Sequence, residues 1–273
     1  MTLLGFETLP GETVRAGDRV GASVIWQAGE NPLPADLKMS LTAKAKEGDA
    51  EWLLSTPADL AGDGYPTSAW QPGEVLRGRL LARIPPSLEP GLYELELHLA
   101  AIDNPGPELL TLPVGDFQVE GWPRMFEPPR PQVKLGTDFA GQAILVGLDA
   151  GAAQVSPGDS LAVRLHWRVE AEFDDNYTAF FHLVGPDGLL YGQVDHTPGA
   201  GIFPNTGWLP GEYIADEYAI PLADNAPPGN YQLEIGMYDP NTGQRLAVTP
   251  PDCQAGDWQY SDDQGLFPGL TVN

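Results

Sequence analysis

The chain has 273 residues, beyond the common single-domain length, and carries 38 acidic against 14 basic residues for a formal net charge of -24. A polyanionic surface repels phosphate backbones and anionic lipid, which excludes nucleic acid as a partner and a polybasic membrane patch. Cys253 is the only cysteine, which excludes an intrachain disulfide and a cysteine zinc cluster.

In chain order, Leu3 to Leu9 reads as a first strand, and Val20 to Trp26 alternates so that Val20, Ala22, Val24 and Trp26 share one face. Leu37, Met39, Leu41 and Ala43 alternate with polar residues in the next strand. Glu47-Gly48-Asp49 turns towards Trp52-Leu53-Leu54. A long loop rich in Gly, Pro and Asp runs from Ser55 to Ser68 and ends at Trp70. Strands follow over Val75 to Ile84, closed by Pro85-Pro86, over Tyr93 to Leu99, and over Val114 to Val119. Residues 122–134 hold four prolines and read as a semi-stiff linker, which sets a first domain at 1–121 and a second at 135–273.

The second domain opens at Ala143 to Leu148 and repeats the series. Leu161 to Trp167, Tyr177 to Leu183 and Leu189 to Val194 alternate as strands, and a long loop runs from Asp195 to Thr206. Tyr213 to Ile220 and Tyr231 to Met237 follow. A polar insertion, Cys253 to Gly265 with Trp258 and Tyr260, precedes a last strand near Leu270 to Val272. No stretch of twelve residues carries a helical apolar stripe free of Pro and Gly, and Gly (32) and Pro (28) suit many turns.

The repeat is explicit in its turns. Trp70-Gln71-Pro72-Gly73-Glu74 returns as Trp208-Leu209-Pro210-Gly211-Glu212, and Pro90-Gly91-Leu92-Tyr93 as Pro228-Gly229-Asn230-Tyr231, both 138 residues on. Ala16-Gly17-Asp18 returns as Pro157-Gly158-Asp159 after 141. The predicted fold is all-β: two tandem immunoglobulin/fibronectin-like β-sandwich domains arising from internal duplication. The Tyr following each Pro-Gly pair, near a strand start, predicts a tyrosine corner.

The chemistry is sparse. Trp208 with Phe203, Asn205, Tyr191, Asp195 and His196, and Trp70 with Tyr65, form the ligand-binding candidates, because an aromatic face beside polar groups suits a sugar ring. The competing reading makes each Trp a packing anchor that pins the long loop to a sheet. Asp195 and His196 with Asp174, Asp175, Asp216 or Glu217 are the acids a hydrolase would draw on, but the spacing assigns no catalytic residue. No zinc-protease helix, calcium loop or Gly-x-Ser-x-Gly motif is present, so neither a cofactor nor a metal is expected, a calcium ion bridging loop carboxylates being the alternative.

Over 155–246 the chain carries Pro157-Gly158-Asp159, Trp167, Tyr177-Thr-Ala-Phe-Phe-His182, Asp187-Gly188, Gln193-Val-Asp195, Asn205-Thr206-Gly207-Trp208, Glu212, Asp216, Gly229-Asn-Tyr231 and Gly243-Gln-Arg245. In this order it resembles the β-sandwich domains at the C-termini of large bacterial membrane proteins of the lipid-linked-sugar glycosyltransferase type, related to protein mannosyltransferases. The likeness is diluted over 14–99, where Thr67-Ser68-Ala69 replaces Asn205-Thr206-Gly207.

The resemblance implies an appended extracytoplasmic domain in the cell envelope, not catalysis, with a glycan or a cell-envelope protein as partner. No run reaches the ~20 apolar residues of a membrane helix. The chain is thus expected to be a soluble fragment of a longer exported protein, or cytoplasmic. The expected function is a non-catalytic accessory or interaction region with weak glycan binding centred on Phe203 to Glu212. A stand-alone carbohydrate-binding module is the alternative, and a glycoside hydrolase the third reading.

Overall fold

The computed structural model describes residues 1–272 except 10–11, 32, 34, 102–108, 152–153, 200, 252–258 and 262. Cys253 and Trp258 of the predicted insertion therefore lie outside the described residues. The architecture is all-β; the helical elements among the described residues are two short 3-10 turns, Thr67–Ala69 and Asn205–Gly207. Two compact units, Met1–Trp122 and Pro123–Asn273, divide the chain.

The first unit holds β1 (Thr2–Leu9), β2 (Thr13–Arg15), β3 (Arg19–Gln27), β4 (Leu37–Ala45), β5 (Glu51–Leu53), β6 (Ala58–Asp59), β7 (Val75–Arg83), β8 (Gly91–Ala101) and β9 (Leu110–Glu120). One sheet has the order β1-β3-β7 and the other β2-β9-β8-β4-β5, with β6 added to β4. Neighbours are antiparallel except β2 and β9, which run parallel. This is the immunoglobulin-like strand order. Val20, Ala22, Val24 and Trp26 from one sheet meet Met39, Leu41, Leu95 and Leu97 from the other in a single core.

The second unit holds β10 (Val133–Phe139), β11 (Ala143–Ala150), β12 (Gln154–Val155), β13 (Ser160–Val169), β14 (Thr178–Val184), β15 (Leu190–His196), β16 (Tyr213–Pro221), β17 (Gly229–Tyr238), β18 (Val248–Thr249), β19 (Gln259–Ser261) and β20 (Gln264–Val272). Its sheets are β16-β13-β11-β10-β18 and β12-β20-β17-β14-β15, with β19 on β20. The duplication extends to irregularities. Leu3 pairs with Trp26 and Leu145 with Trp167, and β1 and β11 both shift register at the next residue.

The second unit opens one strand earlier than alternation predicts. Strand β10 adds to the edge of β11, and Phe139 at its end meets the Trp167 ring edge-on at 5.0 Å. Trp122 and the residues between it and β10 are held by side-chain and backbone hydrogen bonds. The Trp122 indole donates to Ala16 O (3.2 Å) within the first unit, while Gln132 N donates to Asp149 (2.7 Å) and Met125 O accepts Tyr213 N (2.7 Å) within the second.

Four acidic residues close the repeated turns. Asp18 and Asp159 accept the backbone N–H groups of Arg15 (2.8 Å) and Ser156 (3.2 Å), three residues back. Glu74 and Glu212 do the same for Gln71 (2.9 Å) and Leu209 (2.8 Å). In the latter pair Pro precedes Gly73 (φ 75) or Gly211 (φ 88), the left-handed third position of a type II turn. The tyrosine corners form as well: Tyr93 donates to Glu89 O at 2.8 Å and Tyr231 to Pro227 O at 3.0 Å.

Candidate functional site

The long loop of each unit is laid against its sandwich by the Trp that ends it. Gly73 N donates to Ala28 O and Gly211 N to Val169 O, which ties each Pro-Gly turn to the end of β3 or β13. The Trp208 indole donates to Phe203 O (3.3 Å) and the Trp70 indole to Tyr65 O (3.4 Å), so each ring closes its own five-residue loop.

Trp208 is 0 % exposed, with Phe173 edge-on at 5.5 Å and Phe203 at 6.3 Å. A ring with no open face offers no platform to a sugar, which removes Trp208 from the ligand candidates. Trp70 is 9 % exposed and borders a void of about 40 Å³ beside Ala28, Leu33 and Pro72. No Phe stands at the place of Phe173 in the first unit, which leaves that ring less tightly enclosed.

Asn205 is likewise fully buried; its Oδ1 accepts Tyr177 N at 2.9 Å. Thr67 stands in the same place in the first unit, and its hydroxyl accepts Leu37 N at 3.0 Å. Asn176 Oδ1 accepts Thr206 N (3.2 Å), as Asp36 Oδ1 accepts Ser68 N (2.7 Å). That N–H of Ser68 holds the Asp36 carboxyl below its usual range. Asn-Thr-Gly and Thr-Ser-Ala therefore perform one task, fastening the loop to the start of β14 or β4. Asn205 is a loop anchor and not a ligand contact.

Glu212 has no exposed surface and meets Arg124 Nη1 at 2.8 and 2.9 Å; the same guanidinium donates to Gly207 O (2.9 Å) and lies 5.9 Å over the Phe203 ring. Burial pushes the Glu212 carboxyl up, against the lowering pull of Arg124 and Leu209 N–H. In the first unit Glu74 takes the Tyr65 hydroxyl at 3.0 Å instead, which raises that phenol. Tyr65 is therefore engaged with its own turn.

The remaining candidates do not converge. Asp195 and His196 are consecutive in β15 and point to opposite faces. Asp195 is exposed and accepts the Tyr238 hydroxyl at 3.3 Å, whereas the His196 ring stacks on Tyr218 at 4.0 Å. Tyr218 in turn donates to Asp216, which also accepts Gly199 N at 2.8 Å, so Asp216 fastens the long loop from inside. Burial and the Asp216 charge raise the Tyr218 phenol far above its usual range. Tyr191 donates to Asp187 at 2.8 Å and closes the hairpin before β15. Asp216 is buried, whereas Asp174, Asp175, Asp195 and Glu217 face solvent, Glu217 paired with Arg164 at 2.9 Å.

A concavity of the second unit lies elsewhere, on the outer face of β11, β13 and β16. It encloses about 560 Å³, is floored by Ala162 and Ala219, and is rimmed by Gln132, Asp149 and the exposed pair Arg164–Glu217 (2.9 Å). Asp149 also meets His166 at 2.8 Å. Sequence reading missed this groove. Its only signal is the small side chain at outward positions 162 and 219, where charge is the usual occupant.

No family model matches the chain, and no curated protein matches it. Among solved structures, the C-terminal domain of the AgI/II polypeptide BspA of Streptococcus agalactiae aligns at 12% identity, over 90% of this chain and 99% of that one, with a TM-score of 0.24. A glycosyl hydrolase family 2 member from Bacteroides cellulosilyticus aligns at 9% identity over 94% of this chain, with a TM-score of 0.29. The chain spans 29% of that hydrolase's length.

Proposed function

We propose that this chain is a non-catalytic accessory or interaction region, the extracytoplasmic part of a membrane protein of the glycosyltransferase-like kind that its second unit resembles. One observation carries the reading: the motif residues kept in both copies are spent on holding loops and turns. Glu74 and Glu212 cap their own turns, and Trp70 and Trp208 pack; Asp216, present in the second copy alone, anchors a loop as well. A hydrolase of the two-carboxylate kind needs paired acids facing a substrate, about 5 to 9.5 Å apart. Of the candidate acids that face solvent, Asp195 has a tyrosine as its partner and Glu217 an arginine.

The partner fits better as a protein or an extended polymer lying across a face than as a sugar stacked on a ring. The candidate rings are buried, hydrogen-bonded or packed against a neighbouring side chain, while the open groove offers alanines and a charged rim.

Two experiments test this reading. Cell fractionation with protease digestion of intact cells, using a tag on the chain in its native reading frame, should find it on the protease-accessible side. A panel of chromogenic glycosides should give no turnover. Glycoside cleavage that disappears in Asp195→Ala would replace the proposal with the hydrolase reading, and a protected cytoplasmic chain would remove the extracytoplasmic one.

A further inference from the structure

The outer face of the first unit gathers one imidazole and two carboxylates at a single point. Glu96 and His98 stand two residues apart on β8 and so project from the same face. Glu51 reaches the same point from the edge strand β5, which pairs with β4 at Lys44. His98 Nε2 lies 3.7 Å from Glu96 Oε2 and 3.9 Å from Glu51 Oε1, and the three donor atoms all fall within 4.8 Å of one another. The Thr42 hydroxyl contacts the same ring nitrogen.

From this geometry we infer that Glu51, Glu96 and His98 form a binding site for a divalent transition-metal ion of the zinc type. With metal–ligand bonds of about 2.0–2.2 Å, tetrahedral donors sit roughly 3.3–3.5 Å apart. The two measured separations to His98 need to close by about half an ångström to reach that spacing. The larger movement falls to Glu51, whose side chain is half exposed on a three-residue strand and free to swing inward.

Glu96 supplies the second observation. Its side chain is about nine-tenths buried, yet among the described residues its carboxylate accepts no hydrogen bond and meets only Lys44 (3.6 Å) and His98 at ion-pair distance. Buried carboxylates normally accept hydrogen bonds, and one that lacks them has room for a cation. Lys44 faces Oε1 and leaves Oε2 turned to His98, so the lysine orients the carboxylate without occupying the ligating atom. A bound ion would tie the short edge strand β5 to β8 across β4.

The duplication supplies an internal control. Glu234 repeats Glu96 in the second unit, but Gly236 stands where His98 is. A Cβ on Gly236 would lie 2.1 Å from the Phe180 ring, which occupies that space under the Arg245 guanidinium at 4.4 Å. His182 meets Glu234 at 3.2 Å, and among the described residues no third ligand joins the pair. Among the described residues, only the first unit has the three-donor set.

The test is calorimetric titration of the whole chain with Zn²⁺, with Co²⁺ absorption as a report on coordination. The expected result is one saturable site, weakened at least tenfold in His98→Ala and in Glu51→Gln, and unchanged in His182→Ala and Cys253→Ala. Glu51 is exposed, so its substitution leaves the core intact and near-UV circular dichroism should match the wild type. Absence of saturable binding, or binding kept in both His98→Ala and Glu51→Gln, overturns the assignment.

Discussion

Both carboxylate oxygens of Glu212 meet a single nitrogen of Arg124, at 2.8 and 2.9 Å, in a place where Glu212 has no exposed surface. A buried ion pair of this kind adds little over a well-packed apolar pair, but removing one partner strands the other charge at a cost of about 3–5 kcal/mol. Arg124→Met should therefore destabilise the second unit by about that amount. In a double-mutant cycle, Glu212→Gln with Arg124→Met should cost much less than the two single changes added together. Urea unfolding of the four proteins measures it. The equivalent Glu74→Gln, whose partners are Gln71 N and a tyrosine hydroxyl, should cost about 1–2 kcal/mol.

The tyrosine corners give a paired prediction. Tyr93→Phe and Tyr231→Phe each remove one hydroxyl-to-carbonyl hydrogen bond, of 2.8 and 3.0 Å, and leave the ring in the core. Each should cost about 0.5–1.5 kcal/mol, with the native near-UV spectrum retained. A loss several times larger would assign these hydroxyls more than a single bond.

Acid should weaken the second unit through Asp149. Burial raises this carboxyl, but the hydrogen bonds from His166 and Gln132 N outweigh it, and the net direction is downward. A depressed folded value means stability that is present above the unfolded value of about 3.9 and is lost as pH falls through the folded one. The stability difference between wild type and Asp149→Asn should thus be present at neutral pH and shrink as pH drops below about 4. Denaturant melts at neutral and acid pH read it. Glu212 runs with the opposite sign, because its raised folded value favours the native state most in acid.

Most of the fold can be read from the chain because period-two alternation and Pro-Gly turns coincide. Trp26 and Trp167 are core residues, as their neighbours at spacing two imply, and both tyrosine corners are marked by the Pro-Gly pair before them. Strand β10 is hidden because Gly136 interrupts its alternation directly after a run of prolines. The burial of Trp208 depends on Phe173, 35 residues away, and local sequence holds no sign of that contact. The Glu51–Glu96–His98 cluster shows two of its three members, as Glu-x-His on β8, while the third comes from a different strand.

The account rests on Trp208 and Glu212 being architecture, and the most direct measurement is the unfolding free energy of Trp208→Ala taken together with a glycan-array screen of the wild-type chain. The predicted result is a loss of about 3–5 kcal/mol, the cost of emptying a buried indole site, together with no glycan retained by the wild type. A variant as stable as the wild type, or a glycan bound by the wild type and lost in a variant that still folds, would contradict it.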